Sequence, residues 1–174
     1  MPNAIRLTGI EKFFDEDSVI VTKTDQRGVI TYANKTFLEV SEYFEKDVVG
    51  KPHNMIRHPD MPHCIFRKMW SRIKSGKEIF AYVVNRTKLG NHYWVLAHVT
   101  PSFNTEQQIV GFHSNRRVPD RTSLTEVIVP LYQKLSALER EVPDLDTGIT
   151  VADSYLRKML QEKGIGYDQF IFSI

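Results

Sequence analysis

No stretch limits the fold of this chain more than Gly50-Lys51-Pro52-His53-Asn54-Met55-Ile56-Arg57-His58-Pro59-Asp60-Met61-Pro62. Its prolines at 52, 59 and 62 each fix their own φ and bias the residue before them away from helix. Residues 51–62 are therefore expected to form a stiff loop with at most one short helical turn. Arg57, His58 and Asp60 stand close together in it. Chemistry alone allows two roles for them. One is a grip on a polar ligand, since a stiff loop loses little further entropy on binding. The other is a local Arg–Asp pair that holds the loop. Pro62 reads as the N1 residue of a following helix, in which Ile65, Phe66, Met69, Trp70 and Ile73 recur at helical spacing until Gly76.

On either side the pattern is β-rich. Ser18–Thr24 and Val29–Ala33 flank the turn Asp25-Gln26-Arg27-Gly28 and read as a hairpin, with Asn34 at the N-cap of a short helix. Residues 78–86, 92–101 and 108–114 read as three further strands. On the long strand Trp94, Leu96 and His98 share one side, and Tyr93, Val95, Ala97 and Val99 the other. From Arg121 the chain reads as helical, with capping-box spacing at Ser123 and Glu126 and a seam at Leu124, Ile128, Leu131, Leu135 and Leu138. Pro130 should kink it. Residues 142–148 read as a linker. A helix capped at Thr150 and closed by Gly164 follows, and the apolar end Phe170–Ile174 needs cover. The expected class is α+β: a five-stranded antiparallel sheet with short helices on one face, plus C-terminal helices. The divisions are a lead-in at 1–17, the main domain at 18–118 and a helical extension at 119–174.

A chain of 174 residues, 41% hydrophobic and 25% charged, can bury one sizeable core. A net charge of +2 argues for neither nucleic acid nor an anionic membrane. The single cysteine, Cys64, excludes an internal disulfide and fits a reducing cytoplasm. No signal peptide opens the sequence and no apolar run approaches the roughly 20 residues of a membrane span. Metal-binding spacing, nucleophile triads and phosphate loops are not found, so no enzyme is expected.

The motif Gly-x-Pro-His-Asn-x-x-Arg-His-Pro-Asp-Met-Pro, with Met69-Trp70 on the next helix, resembles the PAS sensor domain of bacterial aerotaxis (energy-taxis) receptors. The resemblance runs from about residue 15 to 140. It implies a PAS fold and non-covalent FAD used to read cellular redox state. It also implies that Arg57, His58 and Asp60 contact flavin or its pyrophosphate, and that Asn34 and Asn85 support flavin binding. For Asn34 a simple N-cap remains the alternative. Trp70 and Trp94 can stack on the ring or be plain core. Blue-light PAS sensors carry a photoactive cysteine where this chain has His53 and Asn54. Cys64 lies later, so cysteinyl–flavin photochemistry is not expected. The alternatives are a haem-binding gas sensor, with His58 or His63 as axial ligand, and a cofactor-free interaction module. FAD and FMN are not distinguished. Aerotaxis receptors continue into a membrane anchor and a signalling helix that this sequence lacks. A separate partner is therefore expected, a membrane chemoreceptor or other signalling protein. A homodimer, or a helical partner bound through the lead-in or the 124–138 seam, is expected as well, with docking of the seam on the sheet's outer face the alternative to a dimer contact.

Overall fold

The computed structural model describes residues 5–174. The first four residues of the expected lead-in lie outside them. Five strands, β1 (Ile20–Asp25), β2 (Ile30–Ala33), β3 (Ile79–Arg86), β4 (His92–Phe103) and β5 (Ile109–Arg117), form one antiparallel sheet in the order β2-β1-β5-β4-β3. The β1–β2 turn is closed by Asp25, whose Oδ1 accepts from the amides of Arg27 and Val29. Gly28 takes φ 80° there. Asn34 caps α1 (Lys35–Ser41) by accepting from the Phe37 amide. A second helix, α2 (Glu45–Val48), leads into the proline-rich stretch, where one 3-10 turn, His53–Ile56, is the only regular element. The helix α3 (His63–Lys74) follows and ends at Gly76.

Pro62 is the N-cap of α3 with ψ 137°, one position earlier than its expected N1 place. Proline has no side-chain acceptor, so the first amides of α3 need one from elsewhere. The buried carboxylate of Glu139 supplies it, accepting from His63 N at 3.0 Å and Cys64 N at 2.7 Å.

The proline-rich stretch joins the two outer strands of the sheet. Gly50 N donates to Ile30 O and Ile30 N to Lys51 O, which ties the stretch to β2. Arg57 pairs with Asn85, which ties it to β3. The lead-in is extended rather than helical. It runs beside the start of β4, with Glu11 bridging to His92 and paired with Arg121.

The C-terminal helices pack on the β3 side and on α3. Asp120, not Ser123, caps the first, α4 (Arg121–Ser123). A π-helical segment, Leu124–Ile128, passes into α5 (Val129–Arg140). Pro130 explains the wide turn, because its ring cannot sit over the carbonyl one normal turn back. Leu124, Ile128 and Leu135 of the seam are buried within this chain. The expected linker is partly helix. Asp144 caps α6 (Leu145–Glu162) by accepting from the Thr147 amide, and Asp153 pairs instead with Lys68 and Arg157. The apolar end forms α7 (Tyr167–Ser173), with Phe170 and Ile171 buried and Phe172 against Phe80.

Gly148 lies where α6 crosses α5, and a Cβ there would meet the Glu139 carbonyl oxygen at 2.3 Å. Gly148→Ala should force the helices apart and lower unfolding free energy by about 1–3 kcal/mol, as overpacking does. Urea unfolding of the two proteins measures this. A variant as stable as the parent would show that the crossing is not tight.

Candidate functional site

The sheet and α3 enclose a cavity of about 380 Å³. Its sheet wall comes from inward positions of four strands: Thr22 and Thr24, Phe112, Ser114 and Arg116, Ala97 and Val99, Val83 and Asn85. Phe66, Met69, Trp70 and Ile73 of α3 form the opposite wall, and Ile149 of α6 closes one side. Trp70 sits edge-on to Phe112 at 5.5 Å between ring centroids and against Gly28, where a Cβ would lie 2.9 Å from the indole. Glycine at this turn therefore serves both its positive φ and the close approach of the indole.

The charge of this lining is one-sided. Arg27, Arg57, Arg67 and Arg116 line the cavity, and no aspartate or glutamate does. Arg57 lies over the Phe66 ring at 4.4 Å and donates to Met61 O at 3.4 Å. Burial lowers its pKa. Arg116 is 4% exposed and has no carboxylate partner among the described residues. Its Nη2 donates to Thr22 Oγ1 at 2.8 Å and to His53 Nε2 at 2.6 Å. Because Nε2 accepts, the imidazole proton sits on Nδ1. Burial, reinforced by the charge of Arg116, holds the His53 pKa down at about 3. Burial also lowers Arg116 to about 10, which leaves it cationic at neutral pH. Three polar atoms of this wall, Asn85 Nδ2, Ser114 Oγ and Arg116 Nη1, find no hydrogen-bond partner among the described residues. Buried donors without acceptors are costly, and a bound molecule with acceptors would satisfy them.

Of the residues singled out in the sequence, Arg57, Asn85 and Trp70 meet in the cavity. Four others do not line it. Asn34 is a structural hub: Oδ1 accepts from Val21 N and Phe37 N, and Nδ2 donates to Val19 O. His58 is buried beside His92, and burial lowers its pKa. Asp60 is largely exposed and lies 3.6 Å from His58 Nδ1, so the alternative Arg57–Asp60 pair does not form. Trp94 is on the opposite face of the sheet, 6.0 Å from the Tyr132 ring, because inward positions on β4 are the odd-numbered ones. Cys64 is buried in α3, with its thiol pKa pushed up by burial and by Glu139. Sequence reasoning missed Arg116, His53, Ser114 and Thr22. The signal for two of them was alternation: Phe112, Ser114 and Arg116 share one side of an interior strand, where an arginine is rare. The described residues hold no His, Cys, Asp or Glu group placed to bind a metal, and no helix long and apolar enough to cross a membrane.

His53 makes a pH prediction. Its folded pKa of about 3 lies below the ordinary 6.5, so the unfolded chain binds a proton that the folded chain refuses. The associated stability is complete above about pH 6.5 and is lost as pH falls toward 3, with a slope approaching ~1.4 kcal/mol per pH unit. His53→Gln, which keeps a neutral acceptor, should flatten this slope in urea unfolding measured at several pH values. An unchanged slope would place the titration elsewhere.

A sequence profile described as the PAS fold matches residues 30–116. Over 145 residues the chain is 39% identical to the aerotaxis receptor of Escherichia coli (strain K12), covering 83% of this chain and 28% of that receptor. It is 31% identical to phototropin-2 of Oryza sativa subsp. japonica over 63% of this chain and 12% of that protein. The chain thus spans between about an eighth and under a third of these relatives. Among solved structures, the dark structure of the blue-light photoreceptor Aureochrome1 LOV superposes with a TM-score of 0.57 at 18% identity, over 63% of this chain and 81% of that one. A LOV domain studied with a flavin analogue gives 0.57 at 14% identity, over 67% and 87%.

Proposed function

Because this chain belongs to the PAS family, we propose that it is an FAD-binding redox or energy sensor of the aerotaxis type, cytoplasmic and without catalytic activity of its own. One observation carries this reading: a cavity between apolar walls that four arginines and no carboxylate line. Its volume falls at the low end of the range for small-molecule sites, about 300–1,000 Å³. A flat aromatic ring would lie between Trp70 and Phe66 on one side and Val83, Ala97 and Val99 on the other. Asn85 Nδ2, Ser114 Oγ and Arg116 Nη1 offer donors to its carbonyl edge. Arg57, which lies over Phe66 with no carboxylate partner among the described residues, would meet anionic oxygens, for which a guanidinium fork is suited, while Arg27 and Arg67 at the rim are paired with Asp25 and Asp146. Bound there, flavin would supply the electron chemistry. This chain's residues bind it, orient it and keep water from the ring.

The route out of the cavity runs through α3. His63 and Arg67 line the cavity and also hold the C-terminal helices: His63 Nδ1 lies 3.0 Å from Glu139, and Arg67 donates to Asp146 at 2.6 Å and Thr150 at 3.3 Å. A change of charge in the cavity therefore meets α5 and α6 after a single side chain. We take these helices as the output surface toward a signalling partner of the chemoreceptor kind. Local charge changes act on such elements when the element has two arrangements.

An absorption spectrum of purified protein tests the cofactor. The two near-ultraviolet and blue bands of oxidised flavin are expected; Arg57→Ala should lose at least about tenfold in flavin affinity, the effect of one charge-assisted hydrogen bond, and Asn85→Ala about fivefold, that of a neutral one. Trp94→Phe should keep full occupancy. A Soret band, or a spectrum with neither feature after incubation with FAD, would remove the flavin reading.

Hydrogen exchange tests the output. Residues 139–160 should change protection between oxidised and dithionite-reduced protein. Identical exchange in both states would leave the cavity uncoupled from these helices.

A further inference from the structure

Arg116 is the one guanidinium of the cavity that is fully inside the fold. Both of its partners are neutral, Thr22 and a His53 that carries its single proton on Nδ1. Its Nη1 has no partner among the described residues, and the same wall holds the unpartnered Ser114 Oγ and Asn85 Nδ2. An unpaired buried cation destabilises the folded chain, because its lost hydration is not replaced by an opposite charge. It also sets up a positive potential that water screens poorly. No carboxylate pairs with it among the described residues: Arg57 faces the same cavity, Arg27 and Arg67 at the rim are paired with Asp25 and Asp146, His63 is tied to Glu139, and the buried Tyr93 phenol is held neutral by burial.

Resting on the flavin reading above, we propose that Arg116 tunes the cavity toward the reduced, negatively charged form of the ring, so that bound flavin accepts electrons more readily than it would beside a neutral residue. Two electrons and one proton from an external donor, a reduced nicotinamide or dithionite, enter the oxidised neutral ring. The proton goes to the central-ring nitrogen, and the net negative charge is left on the pyrimidine edge. That edge is the part of the ring whose acceptors match the donors of the sheet wall. With that edge toward Arg116, the guanidinium would meet a carbonyl in the oxidised form and an anion in the reduced form, and hydrogen bonds to charged groups are about twice as strong as neutral ones. Arg116 therefore binds the two forms unequally, and only unequal binding shifts a redox equilibrium.

The test is a spectroelectrochemical titration of the flavin-loaded full chain, with Arg116→Gln and Arg116→Lys beside the parent. Arg116→Gln should lower the preference for reduced over oxidised flavin at least tenfold, a midpoint about 30 mV more negative for a two-electron couple. Arg116→Lys should keep most of the preference. Should Arg116→Gln fail to fold or to hold flavin, the parent alone decides. On the acid side of neutrality its midpoint should fall by about 30 mV per pH unit, the slope for two electrons and one proton. A midpoint unchanged in Arg116→Gln, or a parent slope twice as steep, overturns the proposal. A parent that neither carries nor takes up flavin overturns the cofactor reading with it, and the missing two-band spectrum tells that failure from the first.

Discussion

The two-sided anchoring of the proline-rich stretch is what the rest of the structure depends on. Five strands laid flat would set their outer members about 19 Å apart, four spacings of roughly 4.8 Å. The stretch is bonded to β2 through Gly50 and Lys51 and to β3 through Arg57. From Lys51 to Arg57 six steps would span about 20 Å fully extended, and the 3-10 turn His53–Ile56, rising about 2 Å per residue, brings the reach down to roughly 16 Å. The sheet must therefore curl toward the stretch, and the curled face is the cavity wall. Proline at 52, 59 and 62 limits the alternatives open to the loop before folding. The same pairing sets Arg57 beside Asn85, so the strap that shapes the cavity also delivers two of its polar groups.

A second dependence follows from the start of α3. Pro62 cannot cap the helix, and the residue that accepts from the His63 amide in its place lies 76 positions beyond His63, on α5. Glu139 is a buried carboxylate at a helix N-terminus, where the helix dipole favours negative charge. It also keeps a carboxylate close to the cavity without lining it, engaged by the His63 and Cys64 amides. The C-terminal helices are thus structural to the sensor. Ile149 closes the cavity, Gly148 allows α6 to cross α5, and Asp146, Asp153 and Asp168 pair with Arg67, Lys68 and Arg72 along α3.

How much was legible in the sequence depended on whether a signal was local. Prolines, the Asp25–Gly28 turn, the Asn34 cap and β-branched alternation act within a few residues, and they placed five strands, α1 and α3 close to their observed positions. The PAS resemblance agreed with the fold. Two caps fell a few residues early, where Asp120 and Asp144, each accepting from the amide three residues on, displaced Ser123 and Thr150; the cap supplied from afar was not legible, because nothing near Pro62 points to Glu139. Ending the fifth strand at Ser114 hid Arg116, because Asn115-Arg116-Arg117 reads as a polar turn when the strand is judged by composition rather than by pairing. In β5 those residues pair with β1 and β4, and backbone hydrogen bonds override composition. Trp94 was ambiguous for a different reason. Period-two alternation separates the two faces of a strand, but which face is inside is decided by the neighbours.

The cavity's arrangement has an energetic consequence. Arg57 and Arg116 share one space with no carboxylate partner among the described residues, whereas Arg27 and Arg67 are paired with Asp25 and Asp146, and three buried polar atoms lack partners. Both terms oppose the folded chain, and an anionic ligand with acceptors relieves both. A site built this way binds by removing destabilisation already present, so ligand binding and fold stability are linked through the same groups. The relief is greatest for the most negative occupant. Any change in the occupant's charge is therefore felt first at Arg116 and then at the guanidinium and imidazole that also hold α6 and α5, Arg67 and His63. On the proposed reading, sensing and output are joined because the residues that would compensate a ligand's charge are partly the residues that hold the C-terminal helices in place.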